Sequence, residues 1–124
     1  MPDILVIDDK PDNLITISAI LKNFIPKCRV ITAQSGPAGI EKARAASPDT
    51  ILLDIKMPGM DGYEVCRKLK ADKKTGAIPV ILISAILTGP KDLVKGLDIG
   101  ADAYLAKPID EHILVAHVKT ALRM

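Results

Sequence analysis

Five short apolar runs alternate along the chain with five stretches whose apolar residues recur at helical spacing. The runs are DILVI (3–7), CRVITA (28–33), TILLDI (50–55), PVILIS (79–84) and DAYLAK (102–107). The first, third and fourth are apolar almost throughout rather than alternating, the pattern of strands buried on both faces of a parallel sheet. CRVITA and DAYLAK are more mixed and predict edge strands. Pro11 suits a first helical turn, and Leu14, Ile17, Leu21 and Phe24 then recur at helical spacing until Pro26. GPAGIEKARAAS (36–47), GYEVCRKLKAD (62–72) and PKDLVKGLDIG (90–100) predict the next three helices, the last ending at a glycine placed for a C-terminal cap. DEHILVAHVKTALR (110–123) predicts the fifth, with Asp110 as its N-cap. Strict alternation of strand and helix implies a doubly wound α/β fold with right-handed crossovers. No long linker interrupts the pattern, so 1–124 reads as a single domain.

In such sheets function collects at the carboxyl ends of the strands. The first strand ends at Asp8 and Asp9, the third at Asp54, the fourth at Ser84 and the fifth at Lys107, before Pro108. Two adjacent carboxylates repel each other unless something positive sits beside them. Three acids at one sheet edge call for a cation. Hard oxygen ligands with spare water positions suit Mg²⁺, which takes one or two carboxylates and then phosphate oxygens. A carboxylate nucleophile, a metal, a lysine and a hydroxyl together make a phosphoryl-transfer site, in which positioning and charge neutralisation do most of the catalysis.

Composition narrows the picture further. The 124 residues are 48% hydrophobic and 26% charged, enough for a packed core, but only 2% aromatic, so that core is aliphatic. A net charge of +2 with no Lys/Arg cluster argues against direct nucleic-acid binding and against a membrane surface. No signal peptide is visible, and no apolar run approaches the ~20 residues of a membrane span. Cys28 and Cys66 lie far apart without a CxxC motif and read as reduced thiols in a cytoplasmic protein.

VIDDKPDNL, LLDIKMPGMDGYEV, ILISA and GADAYLAKP follow one another in an order that resembles the receiver domain of two-component response regulators, the CheY-like family. The resemblance runs from about Ile4 to the last helix. It implies a five-stranded parallel sheet in the order 2-1-3-4-5, flanked by five helices. It implies that Asp54 accepts a phosphoryl group from a phosphohistidine, carried by a sensor histidine kinase or a histidine phosphotransfer protein. Asp9 and Asp54 would bind Mg²⁺ through their side chains, the backbone carbonyl of Lys56 would add a ligand, and Asp8 would act mainly through water. Lys107 would pair with the phosphoryl oxygens, Ser84 would move to hydrogen-bond them, and Tyr104 would be the aromatic switch residue. Lys107–Pro108 is expected to be cis. The implied role is a phosphoacceptor signalling domain that catalyses only its own phosphorylation and dephosphorylation and switches a partner or output domain.

Other readings fit less well. A flavin-binding flavodoxin-like domain would need a hydroxyl- and glycine-rich phosphate loop after the first strand, where this chain has the acidic DDKPDN. An aspartate-nucleophile phosphatase would carry a second acid two residues beyond the nucleophile, where Lys56 stands. A degenerate, scaffold-only receiver would be expected to lack a site residue, and none is missing. His112 and His117, five apart, do not share a helix face and read as surface or partly packed residues. The last helix, with ILVA (113–116), Val118, Ala121 and Leu122, is more apolar than one core-facing stripe requires. Its surplus suits either a neighbouring domain or a homodimer or partner face built from helix four, strand five and helix five.

Overall fold

The computed structural model describes the backbone of residues 1–85 and 90–124 and the side chains of 1–85 and 94–124. Strands β1 (Asp3–Ile7), β2 (Arg29–Ala33), β3 (Thr50–Asp54), β4 (Val80–Ser84) and β5 (Ala103–Ala106) alternate with helices α1 (Pro11–Phe24), α2 (Gly36–Ala46), α3 (Gly62–Ala71), α4 (Pro90–Asp98) and α5 (Glu111–Leu122). Each element lies within a residue or two of the position its sequence pattern predicts. All strand pairs are parallel, in the order β2-β1-β3-β4-β5, and the two mixed runs are the two edges.

The continuous apolar strands are explained by burial on both sides. Leu5, Ile7, Ile51, Leu53, Val80 and Leu82 face α2 and α3, where Ala43, Val65, Cys66 and Leu69 complete one core. Ile4, Val6, Leu52, Ile81 and Ile83 face α1 and α5, where Leu14, Ile17, Leu21, Leu114 and Val118 complete the other. Period-two alternation sends successive residues of one strand into opposite cores, so polar positions would be penalised on either side.

Local signals account for the helix ends. The Asp110 carboxylate accepts the backbone N–H groups of His112 (2.8 Å) and Ile113 (3.1 Å), as the N-cap reading expects. Gly100, past the end of α4, has φ +102°, a left-handed conformation that favours glycine. Both cysteines are free and buried. Most of the apolar surplus of α5 lies inside: Leu114, Val115, Val118 and Ala121 are buried, and Ile113 alone of the large residues is 54% exposed. The helix is wedged between the sheet and α1, so it buries a wider stripe than a helix lying on a single surface.

Candidate functional site

The parallel register brings the carboxyl ends of β1, β3, β4 and β5 to one edge. Asp8 extends β1 by donating its N–H to the Ala33 carbonyl at 3.0 Å, and Asp54 is the last residue of β3. One carboxylate oxygen from each of Asp8, Asp9 and Asp54 lies within 4.8 Å of the others. The sequence-predicted trio is therefore one cluster.

Its members are not equivalent. Asp8 is 1% exposed, and both its oxygens are engaged. Oδ1 accepts the Lys10 N–H at 2.9 Å; Oδ2 accepts the Asn13 side-chain amide at 3.1 Å and lies 3.7 Å from Lys107 Nζ. Asp54 is also buried, and its Oδ1 accepts Lys107 Nζ at 2.9 Å. Burial pushes the Asp54 carboxyl above its usual range; the Lys107 hydrogen bond opposes this, and the charges of Asp8 and Asp9 add to it. Asp9 presents a buried Oδ1 with no hydrogen-bond partner among the described residues. A buried anionic oxygen without a donor is costly, and a cation is the partner that would satisfy it. The donors are all oxygens, two of them on well-buried carboxylates, which suits Mg²⁺.

Lys107 is aimed by the backbone. Its N–H donates to the Ser84 carbonyl at 2.8 Å, tying the end of β5 to the end of β4, and the Lys107–Pro108 peptide is cis, as the resemblance implies. Ser84 is buried at the same edge, one register step from the strand that carries Asp54. The turn MPGMDG shapes the neighbouring loop. A Cβ on Gly62 would lie 2.5 Å from the Asp54 carbonyl oxygen and 2.6 Å from the Ile55 Cα, so only glycine lets the first turn of α3 sit against the end of β3. The Lys56 side chain is exposed beside it.

Tyr104 lies half-buried on β5 with its hydroxyl 3.1 Å from that of Tyr63, which is itself buried on α3. Lys95 Nζ of α4 sits 4.4 Å over the Tyr63 ring. Tyr63 and Asn13 are the two polar contacts around the site that sequence reasoning passed over. An aromatic on an amphipathic helix reads as core, and an asparagine in a first helical turn reads as ordinary helix-start chemistry. His112 stacks edge-on against Phe24 at 5.6 Å and belongs to no acid cluster among the described residues.

Comparison with known proteins agrees with this geometry. The sequence model of the response regulator receiver domain matches residues 4–119. The chain is 47% identical over 120 residues to the response regulator PleD of Caulobacter vibrioides, covering 97% of this chain but 26% of PleD. It is 37% identical over 122 residues to the protein PilH of Pseudomonas aeruginosa, covering 98% of both. Among solved structures, the receiver domain of the sensor histidine kinase PA1611 of Pseudomonas aeruginosa superimposes with a TM-score of 0.87 at 28% identity, covering 99% of this chain and 98% of that one. That structure has a magnesium ion coordinated in its active-site cleft. The chain spans about a quarter to a half of the length of the first curated relatives it matches.

Proposed function

The chain belongs to the response regulator receiver domain family, and on that premise we propose that Asp54 accepts a phosphoryl group from a phosphohistidine and that the acyl phosphate so formed switches the domain. Its residues 1–124 act as a single receiver. The donor is a sensor histidine kinase or a histidine phosphotransfer protein. A carboxylate oxygen of Asp54 forms the new bond to phosphorus as the P–N bond breaks, and the imidazole nitrogen keeps the electron pair and is reprotonated.

One observation carries this reading: Lys107 holds Oδ1 of a buried Asp54 at 2.9 Å, while Asp9, a member of the same cluster, has a buried oxygen with no hydrogen-bond partner among the described residues. Among the described residues no hydrogen bond reaches the second oxygen of Asp54. Lys107 thus orients the nucleophile and then serves the phosphoryl oxygens. Asp9, Asp54 and the backbone carbonyl of Lys56 would hold Mg²⁺ directly, with Asp8 acting through water. When bound, the ion neutralises charge on the phosphoryl group.

Phosphorylation adds about −1.5 to −2 charge at Asp54. Ser84 moves to donate to the phosphoryl oxygens, and Tyr104 follows as the aromatic switch. The change is read on the surface of α4, β5 and α5, where Val94 (53%), Leu97 (45%) and Ile113 (54%) are exposed. That face suits a partner or a second copy, and sedimentation in both phosphorylation states separates the two.

The function is tested by mixing the protein with Mg²⁺ and a small acyl-phosphate donor and reading intact mass. One added phosphoryl group is expected in the wild type. Prior chelation of Mg²⁺ and the Asp54→Asn substitution should each abolish it. An unmodified wild type, repeated with a histidine-kinase donor, would overturn the proposal.

A further inference from the structure

Asp8 is buried at 1% exposure, so its carboxylate must be fully served by donors. Three reach it. The Lys10 N–H fixes Oδ1 at 2.9 Å, as part of the turn into α1. Lys107 Nζ stands 3.7 Å from Oδ2 but only 2.9 Å from Asp54, so Lys107 is committed to the nucleophile. The Asn13 amide, at 3.1 Å, is then the side-chain donor at hydrogen-bond distance from Oδ2.

Asn13 is well placed for that task. Its own N–H donates to the Lys10 carbonyl at 3.1 Å, and Pro11 occupies the start of the helix, so its backbone is held in the first turn of α1. The amide is also neutral. It turns the carboxylate without placing a second positive charge in the pocket, which would compete with a cation for the unpartnered Asp9 oxygen.

We propose that Asn13 is a positioning residue for the acid cluster, holding Asp8 in the orientation in which the pocket takes up Mg²⁺. The inference rests on the Mg²⁺-dependent phosphoacceptor reading above. Residues that orient metal ligands or their water-bridged neighbours are typically worth ten- to a hundredfold in metal affinity.

Mg²⁺ titration calorimetry of the whole chain tests it. Asn13→Ala should weaken Mg²⁺ binding about tenfold. In an Asp8→Asn background the same substitution should change affinity less than about twofold, because the group through which Asn13 acts has lost its charge. Thermal melting without Mg²⁺ records any purely structural contribution separately, and Asn13→Ser carries the same comparison if the alanine variant does not fold. Wild-type affinity in Asn13→Ala, or an undiminished loss in the Asp8→Asn background, would overturn the role of Asn13 alone. A wild type that binds no Mg²⁺ would overturn the phosphoacceptor reading and this role with it.

Discussion

Asp54→Asn should stabilise the metal-free protein. One carboxylate oxygen from each of Asp8, Asp9 and Asp54 lies within 4.8 Å of the others. At an effective dielectric of about 20, each repulsion on Asp54 costs about 3.5 kcal/mol, or about 7 for the pair. The Lys107 contact at 2.9 Å returns about 6 kcal/mol on the same scale. On this scale the two nearly cancel, and burial, the largest influence on Asp54, tips the balance against the ionised group. An asparagine keeps an oxygen for Lys107, which also retains Asp8 at 3.7 Å, and removes the charge. The expected gain is about 1–2 kcal/mol, or roughly 3–8 °C in Tm for a domain of this length. The sign can be checked against pH. The native Asp54 carboxyl titrates above its unfolded value, so in the window between them the native state keeps a proton that the unfolded chain has lost. Stability therefore falls as pH rises through that window, and above it the penalty is present in full. Melting without Mg²⁺ should show Asp54→Asn above the wild type at pH 7, with the gap closing towards pH ~4, near the unfolded carboxylate range. Mg²⁺ at ten times its Kd should then raise the wild type by about 1.4 kcal/mol and leave the variant much less affected. A variant that melts below the wild type at pH 7 without Mg²⁺ would show that the Lys107 pair outweighs burial and repulsion together, and the electrostatic reasoning would fail.

Four other outcomes follow from particular contacts. Gly62→Ala, whose Cβ would lie 2.5 Å from the Asp54 carbonyl oxygen, should cost about 1–3 kcal/mol and slow phosphoryl uptake, measured by urea melts and intact mass. Lys70→Met removes the donor to the Ile78 carbonyl (2.7 Å) and to Asp102 (3.2 Å) at the opposite edge of the sheet; the urea midpoint should drop by the equivalent of about 1–3 kcal/mol with m unchanged, and Asp54 should remain a full acceptor. Cys66 is fully buried and its thiol is pushed up to about 11, so with Cys28 also buried a thiol reagent at pH 8 should label neither cysteine until denaturant is added. Tyr63→Phe deletes the hydroxyl 3.1 Å from that of Tyr104; stability should fall by about 0.5–1.5 kcal/mol and the Tyr104 ring resonances should shift, whereas unchanged resonances would refute a coupled tyrosine pair.

The strands and the acid cluster were legible because both are written in residue types with few other uses. Ile4–Ile7, Ile51–Leu53 and Val80–Ile83 are apolar without alternation, and a sheet clad on both sides explains that pattern. Asp8, Asp9 and Asp54 fall where such a run stops and Lys107 where the mixed edge run DAYLAK stops, so placing the strands placed the charges. Lys70 shows the opposite case. Within KLKAD it reads as one charge on a solvated helix face, yet its stem folds back to serve the Ile78 carbonyl and Asp102, which in turn accepts the Val80 N–H at 2.8 Å. Nothing in spacing distinguishes it from Lys68, because the partners come from segments that only the folded sheet brings near.

Asn13 and Tyr63 were hidden for the same reason, and they clarify what the pattern does encode. Apolar periodicity reports which side of an element meets the core, so it finds residues whose role is to be buried. Charge at a strand end finds residues whose burial demands compensation. A neutral polar group that supplies the compensation carries neither signal: Asn13 is half-buried in a helical turn that would tolerate many residues, and the Tyr63 ring satisfies the core whether or not its hydroxyl meets Tyr104. The residues hardest to read are thus the donors to the groups easiest to read. In a buried acid cluster the search for them should start from the oxygens and count partners: two oxygens on Asp8, both occupied, and one on Asp9, unpartnered. The unpartnered oxygen points to the cation, and the donors on its neighbour point to Asn13, the residue that holds the cluster in order.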